Sequence, residues 1–204
     1  MTLELGVLVS GNGTNLQAIL DAVGSGKLDA RVRCVISNRV GAFALERASR
    51  SGVPALTIAH GAHANREEFD RALIAALRQH GAEWIVLAGF MRILTPEFLR
   101  AFPGRVINIH PSLLPAFPGT NAMKQALDHG VKVTGCTVHF VDEGVDSGPI
   151  IAQRAVPVLP ADDESSLAER MHRAEHELFV EVLVGLANGS LQPRGVASSR
   201  PGPG

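Results

Sequence analysis

Short apolar runs alternate, through the first half of the chain, with stretches in which apolar residues return every three or four positions. LGVLV (5–9) predicts a strand and leads into a helix from Asn15 to about Val23. RVRCVIS (31–37) is the next strand-like run. The helical FALERASRSG follows and stops at Gly52, a residue suited to the left-handed turn that ends helices. VPALTI (53–58) precedes a long amphipathic segment, ANREEFDRALIAALRQHG, closed by Gly81. EWIVLAG (83–89) leads to a short helix with Thr95 as cap and Pro96 at its first position, and then comes RVINIH (105–110). Strands alternating with helices of this length predict a parallel sheet with right-handed crossovers.

The pattern changes beyond residue 130. VKVTGCTVHFV (131–141) alternates with period two, as does part of PIIAQRAVPV (149–158), and the polar turn DEGVDSG lies between them. That predicts a hairpin, so antiparallel strands complete the sheet. A last amphipathic helix, SSLAERMHRAEHELFVEVLVGLANG, runs to about Asn188. No internal repeat and no linker is visible. The fold expected is one α/β domain over residues 1–190: a mostly parallel, Rossmann-like sheet with helices on both faces. The stretch 191–204, ending GVASSRPGPG, has no periodicity and is expected to be disordered.

Composition narrows the function. The 204 residues are 46% apolar, enough for a substantial core. A net charge of -1 gives no electrostatic footprint for nucleic acid or an anionic membrane, so neither is expected as a partner. Cys34 and Cys136 sit in predicted strands without a CxxC or CxxH neighbour and read as core residues of a reducing compartment. The apolar run in MTLELGVLVSGNG is too short for a span and has no basic region before it. A cytoplasmic protein without signal peptide or transmembrane helix is the expectation.

Three loops carry candidate chemistry. SGNGTN (10–15) joins the first strand to the first helix, where glycines and a helix N-terminus present free N–H groups to an anion. It is not a dinucleotide fingerprint: Leu16 occupies the third glycine position and no acidic residue follows the second strand. No GK[ST] follows either. A single phosphate site is the preferred reading over a plain βα turn. In RVINIHPSLLPAFPG (105–119), Asn108 and His110 are two apart and share one face of the strand, with Ile109 on the other. Ligands of parallel α/β sheets bind beyond the carboxyl ends of strands, and Pro111, Pro115 and Pro118 stiffen the chain there. In DEGVDSG (142–148) the three carboxylates read as a solvated tip and do not fit a calcium loop. Ser147 and Gly148 would nevertheless let Asp146 fold back over a site.

Other polar clusters read as ordinary. His60 and His63 lack a third ligand and are expected in a surface loop, and no metal is expected anywhere. His172, Glu175 and His176 share a helix face that reads as a solvated stripe. No nucleophile turn such as GxSxG is present, and Cys136 and His139 fall on opposite strand faces. A covalent enzyme intermediate is therefore not expected.

Taken together, VLVSGNGTNLQAIL, VISNRVGAFALERA, VLAGFMRIL, VINIHPSLLPAFPG, VTGCTVHFVDEGVDSGPIIAQ and AEHELF closely resemble the glycinamide ribonucleotide (phosphoribosylglycinamide) formyltransferases, folate-dependent enzymes of purine synthesis. The likeness covers roughly residues 5–180. It implies transfer of a formyl group from 10-formyltetrahydrofolate, a cosubstrate, to the amine of glycinamide ribonucleotide. By resemblance, Gly13, Thr14 and Asn15 hold the ribonucleotide phosphate, and His172, Arg173, Ala174 and Glu175 its glycinamide end. Arg66, Met91, Arg92, Ile93 and Leu94 are implied folate contacts. So are Asn108 and the loop Asp142, Glu143, Gly144, Val145 and Asp146. The domain then divides into a phosphate-binding half (1–104) and a catalytic, folate-binding half (105–190). The resemblance also implies a cis Leu114–Pro115 bond. Met123 stands where many members have histidine, so no role is carried to that side chain.

The chemistry expected is direct attack of the amine on the formyl carbonyl. Asn108 would donate to the formyl oxygen, and protonated His110 would stabilise the charge there and act as general acid. The Asp146 carboxylate would favour the charged ring. A formyltetrahydrofolate hydrolase would be expected to carry a further N-terminal domain, whereas this chain opens on its first strand. A methionyl-tRNA formyltransferase would need an RNA-binding domain and a basic surface. A non-catalytic nucleotide sensor is the alternative of another class. An apolar face on the first-half helices would support a homodimer.

Overall fold

The computed structural model describes residues 1–192. Seven strands form one sheet: β1 (Leu3–Val9), β2 (Ala30–Ser37), β3 (Ala55–Thr57), β4 (Trp84–Leu87), β5 (Val106–His110), β6 (Val133–Phe140) and β7 (Ile150–Pro157). Six α-helices accompany them: α1 (Thr14–Gly24), α2 (Phe43–Arg50), α3 (Arg66–Gln79), α4 (Pro96–Ala101), α5 (Ala122–Asp128) and α6 (Glu164–Ala187). Strand order is β3-β2-β1-β4-β5-β6-β7. The first five strands are parallel, while β6 and β7 are antiparallel to their neighbours. The order reverses between β1 and β4, the crevice where such sheets take their ligands.

Period two in the central strands divides the apolar residues between two cores. Leu3, Leu5, Val7 and Val9 of β1, with Trp84 and Val86 of β4 and Ile107 and Ile109 of β5, face the larger one, which α1, α2 and α6 cover. Leu8, Ile85, Leu87 and Val106 face the other, closed by α3 and α4. Asn108 and His110 are thus the polar end of a face that is otherwise apolar.

The local signals operate as expected. Thr95 Oγ1 caps α4 by accepting from the Phe98 N–H at 3.3 Å, with Pro96 in the first turn. Gly52 and Gly81 adopt positive φ after their helices. α3 and α4 are tied where Asp70, 1% exposed, accepts the Thr95 N–H at 2.6 Å. Burial raises the Asp70 carboxyl despite that bond.

Four features differ from the sequence expectation. β3 has three residues rather than six, because it is an edge strand paired only with β2. α5 carries no strong periodicity in a seven-residue segment; it forms by burying Ala122 and Ala126, with Met123 and Leu127 against the larger core. His60 opens a single 3-10 turn (His60–Ala62) and His63 follows it; both are half-buried, each ring packed edge-on to Phe69. Leu191, placed in the expected tail, packs against the larger core and donates its N–H to Gly185. Residues 193–204, on which the rest of the expected disorder falls, lie outside the described residues. Among the described residues no helix is long and apolar enough to cross a membrane.

Candidate active site

His110 is the last residue of β5 and is 5% exposed. Its Nδ1 lies 3.2 Å from Asp146 Oδ2 and its Nε2 2.8 Å from the Phe117 carbonyl oxygen. A carboxylate and a carbonyl can only accept, so a ring carrying both hydrogens satisfies both contacts. The carboxylate is ionised. Burial works to raise the Asp146 carboxyl, but the His139 ring, the Gly119 N–H and the His110 charge outweigh it and hold it below the usual carboxylate range.

The proline-rich loop after β5 is a frame for these contacts. Phe117 offers its carbonyl to His110, and the Gly119 N–H donates to Asp146 Oδ2 at 2.8 Å. The loop is fixed by Thr137, whose hydroxyl donates to Ser112 O and accepts from Leu114 N–H, and by Gln153, which donates to Leu114 O. Its Leu114–Pro115 bond is cis. Phe117 and Asp146 both have φ near +50°, a conformation kept where surrounding contacts enforce it and concentrated at functional sites.

Asp146 reaches the ring only because its loop doubles back. Phe140, at the end of β6, pairs with Ile107 near the start of β5, so the hairpin tip points away from His110. Gly148 permits the return: a Cβ there would stand 1.8 Å from Phe140 O. Asp142 orders the loop by accepting from Gly144 N–H and the Ser147 hydroxyl.

Asn108 Nδ2 stands 3.4 Å from Asp146 Oδ1 and 3.1 Å from His139 Nε2. His139, 2% exposed, has Nδ1 2.9 Å from the Phe140 carbonyl. That nitrogen therefore carries a hydrogen, while Nε2 lies against both the Asn108 amide and, at 3.6 Å, Asp146 Oδ1. The amide nitrogen is thereby oriented into the site beside the imidazole. Sequence reasoning missed His139; the signal lies in strand register, which sets it opposite Asn108.

The SGNGTN loop sits at the β1/β4 crevice. Ser10 Oγ donates to Asn38 Oδ1 and accepts the Met91 N–H, joining the loops after β1, β2 and β4. Gly13, at φ +78°, is the N-cap of α1 and supplies no side-chain cap, so the first N–H groups of the helix are open to an anion. Asn15 Nδ2 stands 3.4 Å from Glu175 Oε2, which brings α6 to the loop across 160 positions of sequence.

Glu175 corrects the solvated-stripe reading: its carboxyl is 5% exposed and burial pushes it up to about 7, the Asn15 hydrogen bond opposing only in part. The helix face reads as polar, but α6 packs against α1, β6 and β7, and Glu175 meets Asn15 of α1 rather than water. Ala174 is buried too, while His172 and Arg173 are exposed. His172 and His176 stack with ring centroids 6.3 Å apart.

The implied folate residues divide. Met91, Ile93 and Val145 are large, apolar and exposed on loops that border β5, at 62%, 50% and 51%. Glu143 and Gly144 are exposed and Arg92 is half-buried. Leu94 turns into the smaller core, which leaves only its main chain for a ligand. Arg66 stands exposed on the first turn of α3.

Neither thiol belongs to this chemistry. Burial pushes Cys34 up to about 11 and Cys136 up to about 12, which keeps both protonated and poor nucleophiles. Among the described residues no three His, Cys, Asp or Glu side chains gather to hold a metal.

An α/β domain with a histidine, an asparagine and a folded-back aspartate at the sheet rim defines a class that comparison names. The formyl transferase family model matches residues 4–183. Phosphoribosylglycinamide formyltransferase of Escherichia coli (strain K12) is 45% identical over 186 residues, 91% of this chain and 88% of that protein. The trifunctional purine biosynthetic protein adenosine-3 of Drosophila melanogaster is 51% identical over 92% of this chain. The chain spans only 14% of the length of that relative. Glycinamide ribonucleotide transformylase 1 from Symbiobacterium toebii superposes with a TM-score of 0.92 at 52% identity, covering 95% of this chain and 92% of that one. The chain belongs to the formyl transferase family, in the branch of the phosphoribosylglycinamide formyltransferases.

Proposed function

We propose that the chain transfers the formyl group of 10-formyltetrahydrofolate to the amine of glycinamide ribonucleotide, giving N-formylglycinamide ribonucleotide and tetrahydrofolate. The observation that carries the reading is the buried His110 held between Asp146 and Phe117 O, with the Asn108 amide aimed at the same carboxylate. Two donor groups therefore lie side by side, and both can turn to an oxygen that gains negative charge.

The amine nitrogen attacks the formyl carbon and a C–N bond forms, placing negative charge on oxygen. An Asn108 N–H and the His110 Nε2–H, released from Phe117 O, stabilise that charge. The bond from carbon to folate N10 then breaks. His110, as general acid, protonates N10, and the proton released by the amine restores the balance. Fixed neighbours matter because small misplacements of reacting groups are costly in rate. The open N-terminus of α1, at Gly13, Thr14 and Asn15, takes the phosphate, and Glu175 faces the glycinamide end. The exposed apolar side chains of Met91, Ile93 and Val145 suit the flat pterin of the folate. The enzyme so read is cytoplasmic, takes two small-molecule substrates and uses no metal.

Tetrahydrofolate release, followed with and without glycinamide ribonucleotide, tests this. Release that requires the ribonucleotide, one equivalent per formylated product, is expected. Release with water alone would identify a hydrolase, and no release in either case would leave a binding protein.

A further inference from the structure

Arg47, on α2, is tied to the phosphate loop by a set of bonds that no role above uses. Its Nε donates to Asn12 O at 2.9 Å, one terminal nitrogen donates to Asn12 Oδ1 at 2.7 Å, and the other donates to Gln17 Oε1 at 3.2 Å. One guanidinium therefore grips both the main chain and the side chain of the loop residue before Gly13, together with the first turns of α1. The grip is planar and forked, which a lysine ammonium cannot reproduce. The guanidinium also lies over the Phe43 ring, 4.8 Å from its centroid, which limits its freedom.

The surrounding contacts show what the grip holds. Ala44 N–H donates to Gly11 O at 3.1 Å, so α2 binds the loop at two successive residues. Gly13 passes so close to α2 that a Cβ would stand 2.5 Å from Ala44 Cβ. Gly13 is left-handed and gives α1 no side-chain cap, so the turn at Asn12 and Gly13 is held from α2. The Arg47 charge extends to His176 on α6, which adds to the burial and the His172 charge that lower that imidazole. Arg47 therefore sits where the loop, α1 and α6 meet.

We propose that Arg47 is a positioning residue for the phosphate of the ribonucleotide: its fork holds Asn12 so that the N–H groups from Gly13 onward converge on the anion. The inference rests on the proposed phosphate role of this loop, and the test separates the two. Ribose 5-phosphate binding, measured by calorimetry, needs no turnover. Wild type should bind it, and Arg47→Ala should bind it about tenfold or more weakly, the scale of one charge-assisted hydrogen bond. Arg47→Lys should remain close to Arg47→Ala, because charge without the fork does not hold Asn12. In turnover, KM for glycinamide ribonucleotide should rise in both variants, with kcat and KM for the folate within about threefold of wild type. The dephosphorylated acceptor should be used equally well by all three proteins.

Full recovery by Arg47→Lys would reduce the residue to a point charge and overturn the positioning role. Unchanged affinity in Arg47→Ala, or equal loss with the dephosphorylated acceptor, would also overturn it. Failure of wild type to bind ribose 5-phosphate would instead remove the phosphate reading on which it rests. Should Arg47→Ala not fold, Arg47→Lys, which keeps stem and charge, decides the question alone.

Discussion

Replacing Glu175 by glutamine should stabilise the protein while weakening its hold on the ribonucleotide. The carboxyl is 5% exposed, has one long hydrogen bond to Asn15 Nδ2, and is pushed by burial from 4.5 to about 7. At about 1.4 kcal/mol per pH unit, that rise corresponds to about 3 kcal/mol against the ionised form in the folded state. The sign follows from proton uptake. Between pH 4.5 and about 7 the folded chain keeps the proton that the unfolded chain has lost, so stability falls as pH rises through this window and is level above it. Glutamine has nearly the same shape and no proton to lose. The stability difference between Glu175→Gln and wild type should therefore grow by about 2–3 kcal/mol from pH 5 to pH 8. Urea midpoints at fixed m-value, taken on both proteins at each pH, measure it. The difference cancels the raised Asp70 carboxyl, which both proteins share. Parallel stability profiles for the two proteins would refute the claim that burial governs this group. The same variant should bind glycinamide ribonucleotide more weakly at pH 8, where wild type offers a buried anion whose one hydrogen-bond partner is the neutral Asn15 amide.

Three further outcomes are expected. His110→Ala should lower kcat by about 100-fold or more while calorimetric binding of the ribonucleotide persists; a near-normal rate would remove the imidazole from the reaction. Asp146→Asn should also slow turnover, because the His110 ring loses the carboxylate 3.2 Å away that orients it; a near-normal rate would dissolve the pairing. Gly13→Ala places a methyl 2.5 Å from Ala44 Cβ at φ +78°. It should cost about 1–3 kcal/mol in chemical denaturation and raise KM for the ribonucleotide, and normal values of both would show that the loop tolerates another shape.

Much of the site could be read along the chain because its parts are local. Asn108 and His110 share a face through strand periodicity, and the prolines that follow mark the frame holding His110. Gly13 announces a tight βα turn, and Gly148 permits the fold-back that brings Asp146 in. Resemblance, not spacing, pointed to Glu175, since a helix face of alternating charge looks the same whether water or another helix covers it. His139 was invisible for a related reason: its partner is chosen by antiparallel register, and the residues lie 31 positions apart. Arg47 is one of two arginines on a short amphipathic helix until α2 is laid against the loop.

Hydrophobic periodicity, turn residues and caps depend on neighbours a few positions away, so the order of strands and helices, the hairpin and the shared face of Asn108 and His110 were settled by the chain itself. Which carboxylate meets the imidazole, which helix buries Glu175 and which arginine grips Asn12 depend on how those elements pack. Distances of three ångströms between groups far apart in sequence are set by the packing of whole elements, and no local pattern encodes that sum.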